Sequence, residues 1–207
     1  FAVQVNGNAT ADIVNTAQAY YNDGIQATFA SSNSSVAPLV KSRIGIAKAA
    51  SQPTVNLTNG VSNGTSDVTF SLRVKNYGRS PLYGVQVTDL LEGLATDQFG
   101  TYTASTSPAE KQYTVLANSL RVIIPAGLSS DTAAKVNAAY DGTSARSKLL
   151  TDGAVLPAEA EFTLQFTVRF NYTGRQALLY NSATATANVS STNGPQVSDE
   201  SVNGTDP

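Results

Sequence analysis

The sequence predicts an all-β protein built as an antiparallel β-sandwich. Three observations carry that prediction: apolar and polar residues alternate with period two, turn signals separate the alternating runs, and the end of the chain rereads its beginning.

The elements follow in order. Val3 with Val5, Ala17 to Tyr21, Gln26 to Phe29 and Ile44 to Ala47 supply the N-terminal strands. Val68, Phe70, Leu72 and Val74 alternate with Thr69, Ser71, Arg73 and Lys75, and Val85, Val87 and Asp89 alternate with Gln86 and Thr88. Both stretches read as half-buried strands. Leu120, Val122 and Ile124 add another. The longest run, Phe162 to Phe170, predicts a central strand with one face in the core. Ala183 to Val189 follows it. Asn22-Asp23-Gly24, Asn59-Gly60, Asn63-Gly64, Tyr77-Gly78 with Ser80-Pro81, and Asn193-Gly194-Pro195 are the turn signals. One stretch breaks the pattern: Ala133, Ala134, Val136, Ala138 and Ala139, with Asp131 as N-cap and Gly142 as stop, predict a short helix over about 132–139. It reads as a crossover covering one end of the sandwich, with a binding lid as the other reading.

The repeat sets the organisation. Phe1, Val3, Val5 and Asn6 match Phe166, Val168, Phe170 and Asn171 at an offset of 165. Ile13, Asn15, Ala17 and Ala19 match Leu179, Asn181, Ala183 and Ala185 at an offset of 166, as Ser35 and Val36 match Ser201 and Val202. The chain thus reads as one full unit, 42–207, preceded by a partial element, 1–41, equivalent to 166–207. A lone hairpin is marginal in water. Its apolar Val3, Val5, Ile13, Val14 and Phe29 therefore read as an assembly surface that a neighbouring unit covers.

Composition points outside the cell. The sequence has no Cys, Met, His or Trp, so the side chains most easily oxidised are missing and disulfide staples are excluded. A net charge of −2 gives no electrostatic footprint for nucleic acid or an anionic surface. No run approaches the roughly 18 apolar residues of a membrane span. Phe1 at the start, with neither an initiator Met nor a signal peptide, reads as a removed secretion signal or as the interior of a longer polypeptide.

Val74 to Leu91, VKNYGRSPLYGVQVTDLL, resembles the core signature of the repeat family called domain of unknown function eleven. There a strand ending in Asn-x-Gly leads through a Pro-containing turn to a strand ending in Thr-Asp-x-Leu. Leu156 to Thr167, Asn181 to Asn188 and the acidic Val197 to Pro207 are similar to its later elements. Glu92 stands where Pro often follows, and the long insert from about Gln98 to Leu150 departs from the pattern. The resemblance implies an immunoglobulin-like sandwich, with one crossover helix here, in tandem on large secreted or surface proteins and with no assigned catalytic residues.

Catalytic chemistry is thin. Without His and Cys the commonest general base and the thiol nucleophile are absent. Asp89 with Glu92, or Glu159 with Glu161, are the acidic pairs able to run glycoside hydrolysis; solvated strand edges are the plainer reading. No cofactor is expected, except structural calcium held by Asp199, Glu200, Asn203 and Asp206 near a junction, against a plain acidic linker; Asp89 with Asp97 is a second acidic group. Asn-x-Ser/Thr sequons stand at Asn8, Asn33, Asn56, Asn63, Asn171, Asn188 and Asn203, acceptors only where the source glycosylates asparagine. Tyr20, Tyr21, Tyr77, Tyr83, Tyr102 and Tyr113 read as core-edge or interface residues, with sugar stacking as the alternative.

These readings predict a non-enzymatic structural or adhesive building block of an extracellular filament or giant surface protein. Its expected partners are copies of itself joined by strand addition, with neither nucleic acid nor membrane insertion. The alternative is a carbohydrate-binding module, which requires an exposed planar row of aromatics.

Overall fold

A computed structural model describes residues 42–92, 113–125, 134–171, 181–191 and 194–207, together with, as backbone alone, residue 202 and four strands ahead of residue 42. The chain divides into two compact units, Phe1–Lys41 and Ser42–Pro207. In the first, β1 (Ile13–Asn15) pairs antiparallel with β4 (Ser35–Ala37), and β2 (Gln18–Asn22) with β3 (Ala27–Ser31). Val3 and Val5 lie outside the described residues.

The second unit is an immunoglobulin-like antiparallel sandwich of two sheets. Its strands are β5 (Ile44–Ala50), β6 (Thr54–Thr58), β7 (Val61–Asn76), β8 (Leu82–Asp89), β9 (Tyr113–Val115), β10 (Arg121–Ile123), β11 (Val155–Leu156), β12 (Glu161–Asn171), β13 (Ala183–Asn188), β14 (Gln196–Glu200) and β15 (Val202–Asn203). One sheet runs β10-β12-β7-β5-β15, with β6 beside β7 and β9 beside β12; the other runs β11-β8-β13-β14. Among the described strands β15 and β5 form the one parallel pair.

Period two decides which side chains meet. Phe162, Leu164, Phe166 and Val168 of β12 face inward with Phe70, Leu72 and Val74 of β7, and Ile44 and Ile46 of β5 continue that layer. Val85 and Val87 of β8 oppose them, beside Ala183, Ala185 and Ala187 of β13. The backbone of β7 and β12 is joined by a ladder of eleven residue pairs, Glu161↔Lys75 through Asn171↔Thr65.

Local signals place the turns. Asn59 and Gly60 both have positive φ, 50° and 79°, and form the two-residue loop between β6 and β7 that Asn-Gly favours. Asn63-Gly64, expected as a turn, lies inside β7 instead. The two-residue hairpin at Asn59-Gly60 fixes the register, and the next pair is carried into the ladder.

The crossover helix expected over 132–139 is corrected. Val136 bridges Leu150, the amide of Asn137 donates to Leu149 O, and that of Thr151 donates to Lys135 O. Residues 135–137 are extended, 138–139 form a turn, and 132–133 lie outside the described residues. The helical turn among the described residues is a single 3-10 turn, Ser144–Arg146. A helix of two turns is unstable alone, and the apolar Leu149 and Leu150, both buried, offer these residues a strand partner. Two strands of the sandwich, β9 and β10, lie within the insert, and both pair with β12.

Asn76 staples the β7–β8 connection. Its Nδ2 donates to Ser80 O, Leu156 O and Pro157 O at 2.9, 3.2 and 3.0 Å, and its Oδ1 accepts from the amide of Gly78 at 2.8 Å. Asn76→Ala is expected to cost about 2–3 kcal/mol, because buried backbone groups lose their partners, measured by urea unfolding.

A surface pair has a smaller effect. Asp67 accepts from Arg169 at 2.7 and 2.8 Å, and the Arg169 guanidinium holds the Asp67 carboxyl below its ordinary value, with Asn56 assisting. A depressed carboxyl adds stability above the unfolded value near ~4 and loses it as pH falls through the folded one. Arg169→Ala should therefore lower the melting temperature at neutral pH and make progressively less difference under acid. Because Arg169 is 44 % exposed, the loss is below about 1 kcal/mol.

Candidate functional site

Three polar side chains converge inside the sandwich. Inward-facing residues of β5 alternate as Ile44, Ile46, Lys48, so the strand that buries two isoleucines also buries a lysine. Across the gap β8 presents Val85, Val87 and Asp89. Asp89 pairs with Ala183 of β13, and Asn181 lies two residues before Ala183, on the same alternation. Lys48 Nζ and Asp89 Oδ2 are 2.5 Å apart, at 4 % and 0 % exposure. A buried ion pair of this kind is expensive to assemble.

The surroundings are dry. Lys48 Nζ lies 4.6 Å from the centroid of Phe70 and 6.0 Å from that of Phe166, and Tyr140 packs edge-on against Phe166 at 5.1 Å. Burial pushes the Lys48 amine down, opposed by the Asp89 charge. Burial likewise pushes the Asp89 carboxyl up, opposed by Lys48 and, more weakly, by Asn181. Both dominant effects favour the uncharged forms, a free amine facing a protonated acid.

Asn181 is the unsatisfied member. It is near enough to Asp89 to help hold that carboxyl down, yet neither its Oδ1 nor its Nδ2 makes a hydrogen bond of acceptable geometry, and both are out of water. Asp89 Oδ1 is unpartnered as well, as are the buried hydroxyls of Tyr113 and Tyr140. Burial, then the Asp89 charge, raises the Tyr140 hydroxyl, and burial pushes that of Tyr113 up to about 12. Unpaired buried amides cost roughly 1–3 kcal/mol each and are rare in folded proteins. An amine, an acid and a primary amide gathered without water are the reactants for transamidation.

The residues singled out in the sequence fall elsewhere, Asp89 excepted. Glu92 accepts from the amide of Ser144, Glu161 binds Arg73 at 2.6 Å, and Glu159 is exposed; Asp97 lies outside the described residues. Asp199, Glu200, Asn203 and Asp206 are not brought together. Asp199 accepts from the Ile46 amide and Glu200 from Ser182, Asp206 lies 3.4 Å from Arg73, and Asn203 pairs with Lys48 in the backbone ladder. Among the described residues no three Asp, Glu, His or Cys converge. Asn63 and Asn203 are exposed and Asn56, Asn171 and Asn188 half-buried, while Asn8 and Asn33 lie outside the described residues. Tyr113 is buried, Tyr77 donates to Pro207 O, and Tyr83 is half-buried on β8; these three do not form a row. Tyr102 lies outside the described residues, and Tyr20, Tyr21, Ile13, Val14 and Phe29 lie on strands described as backbone.

Sequence reading missed Lys48 and Asn181. The available signal was parity: Lys48 occupies the inward phase set by Ile44 and Ile46, and Asn181 the phase of Ala183 and Ala185. A charge and an amide on a core face call for partners.

No known family profile and no curated protein matches the chain. Among solved structures it is similar to the major pilin subunit BcpA of Bacillus cereus, with 13 % identity and a TM-score of 0.41, covering 91 % of this chain and 46 % of that one. It is also similar to the collagen adhesin CNA of S. aureus, with 10 % identity and a TM-score of 0.34, covering 86 % and 55 %. A weaker likeness is to AvmM, which catalyses macrocyclization in alchivemycin A biosynthesis, with 12 % identity and a TM-score of 0.29, covering 75 % and 98 %. The chain spans about half the length of the first two, and at such identities all three are distant likenesses.

Proposed function

We propose that this chain is a structural building block of an extracellular or cell-surface assembly, whose sandwich seals itself with an amide bond between Lys48 and Asn181. The observation that carries this reading is the buried amine, acid and unsatisfied carboxamide at one point between the sheets. The Lys48 Nζ lone pair adds to Asn181 Cγ while Asp89 gives its proton to the carbonyl oxygen. Asp89 then takes a proton from the attacking nitrogen and delivers it to Nδ2. The Cγ–Nδ2 bond breaks, ammonia leaves, the oxygen returns its proton to Asp89 as the carbonyl re-forms, and the new amide joins β5 to the residue two places ahead of β13. Asp89 is regenerated, nothing is oxidised or reduced, and the surrounding Phe70 and Phe166 exclude the water that would compete.

The reaction happens once per chain and takes no outside substrate. The protein is on this reading not an enzyme, and neither a cofactor nor calcium is required. Such a bond ties the first strand of the unit to one of its last, which suits a module loaded from both ends. The finer parts of the reading are strand addition by residues 1–41, self-association into filaments, and membership of the repeat family that residues 74–91 resemble. They are supported by the repeat and by the strand–turn–strand at those residues.

The test is the intact mass of purified protein. It should fall short of the sequence mass by one ammonia, and a digest should contain a branched peptide linking Lys48 to Asn181. Asp89→Asn should fold and keep its full mass. A wild-type chain at full mass, after prolonged incubation, overturns the reading.

A further inference from the structure

We infer that Tyr140 is a positioning residue of the sealing reaction: its buried hydroxyl donates to Asp89 Oδ1 while Asp89 stands as the carboxylate. This rests on the self-sealing reading of Lys48, Asp89 and Asn181, and it gives a role to a group that the mechanism above does not use.

Packing does not account for the hydroxyl. Tyr140 is 6 % exposed and its ring meets Phe166 edge-on, a contact that phenylalanine would make as well. The oxygen nevertheless sits out of water without a partner, which costs stability. Asp89 Oδ1 is in the same position. Among the described residues every buried side-chain nitrogen or oxygen without a partner belongs to Asp89, Asn181, Tyr140 or Tyr113. Phe166 links two of these groups, with the Tyr140 ring at 5.1 Å and Lys48 Nζ at 6.0 Å from its centroid, and Lys48 holds Asp89 through Oδ2.

The backbone fixes Tyr140 to the end of β8. Residues 140–150 run back along that strand: the Leu149 amide donates to Val87 O, that of Asp89 to Ser147 O and that of Leu91 to Gly142 O, each at 2.9 Å. Gly142 has a φ of 77°, and a Cβ there would lie 2.6 Å from Leu91 Cδ1, so the approach is close. Tyr140 stands two residues before Gly142, and Asp89 two residues before Leu91. Both side chains therefore hang from one clamp. After burial, the charge that raises the Tyr140 hydroxyl most is that of Asp89, whereas the charges bearing on Tyr113 are those of Glu92 and Asp141.

Once Asp89 has passed its proton to the Asn181 carbonyl oxygen, it is a carboxylate in a dry site. A hydroxyl donated to Oδ1 stabilises that charge and leaves Oδ2 to take the proton from the attacking nitrogen. Tyr140 keeps its own proton throughout.

Tyr140→Phe keeps the ring and removes only the unpaired hydroxyl, so a merely structural role predicts no loss. We expect the variant to fold and, freshly refolded, to release ammonia roughly ten- to a hundred-fold more slowly than wild type, the loss of one hydrogen bond to a charged group. Tyr113→Phe should keep the wild-type rate. A second readout does not need the reaction. In Lys48→Met, which cannot seal, the Asp89 carboxyl is left with Asn181 and Tyr140 beside it and with Tyr113, Glu92 and Asp141 beyond. Adding Tyr140→Phe should raise the pH at which that carboxyl titrates by carbon NMR, because its charged form loses a donor, and adding Tyr113→Phe should not. A wild-type rate in Tyr140→Phe, an equal slowing in Tyr113→Phe, or an unmoved Asp89 titration each overturns the inference. A wild-type chain that never releases ammonia is a different result: it overturns the self-sealing reading and Tyr140's part in it, while the titration separately decides whether Tyr140 holds Asp89.

Discussion

Asn181→Ala is expected to restore the full sequence mass and lower the melting temperature by roughly 10–20 °C. A cross-link closing a loop of roughly 130 residues removes about 4–5 kcal/mol of unfolded-state entropy by analogy with a disulfide, and each kcal/mol moves a domain of this size by about 2–4 °C. The substitution is a clean probe because alanine prevents the bond without leaving an unpaired amide in the core. Any loss therefore reports the bond. Lys48→Met should lose as much at neutral pH and respond differently to acid. Asp89, its carboxyl already raised by burial, then has no cation beside it. A group with a raised folded value contributes stability that is complete below the unfolded carboxylate value near ~4 and is lost as pH rises through the folded one. Lys48→Met should thus melt higher at mildly acid pH than at neutral pH. Scanning calorimetry across that range checks it, and a flat profile would count against a buried, uncharged Asp89.

Phe166→Ala should cost about 3–5 kcal/mol, the range for emptying a fully buried aromatic site. Phe166 is 0 % exposed, contacts Phe70 at 5.5 Å between centroids and carries Tyr140 on its edge. The same truncation opens space beside Lys48, where water would favour the ammonium. A second consequence is expected: freshly refolded Phe166→Ala should release ammonia several-fold more slowly than wild type, followed by mass spectrometry. Phe162→Ala, equally buried but with no ring near Lys48 among the described contacts, should destabilise comparably and leave the rate nearly unchanged.

Much of the fold was legible because period two is a strong, local signal. The run from Phe162 to Phe170 gave β12 nearly to its ends, and Asn59-Gly60 fixed a hairpin. The stretch around Val136 was misread because its alanines suit a helix, while the buried Leu149 and Leu150 that hold it extended are more than ten residues away. The site was half legible. Asp89 was singled out only as half of an acidic pair with Glu92 or Asp97, and Lys48 and Asn181 gain meaning only when two sheets face each other and bring residues from opposite ends of the unit together. Strand pairing across such distances is a property of topology that no local window contains.

The β7–β12 ladder adds a statement about time. Its eleven pairs join segments separated by most of the unit, and contacts so remote form late and slowly. Lys48 and Asn181 can meet only after β5 has paired with β7, and β13 with β8, on the two opposing sheets. On the proposed self-sealing reading, the released ammonia is a chemical date stamp on each molecule. A chain that has lost it has visited the native arrangement at least once, and one that retains it has not yet completed the last step, which makes a mass spectrum of newly made protein a census of folding history.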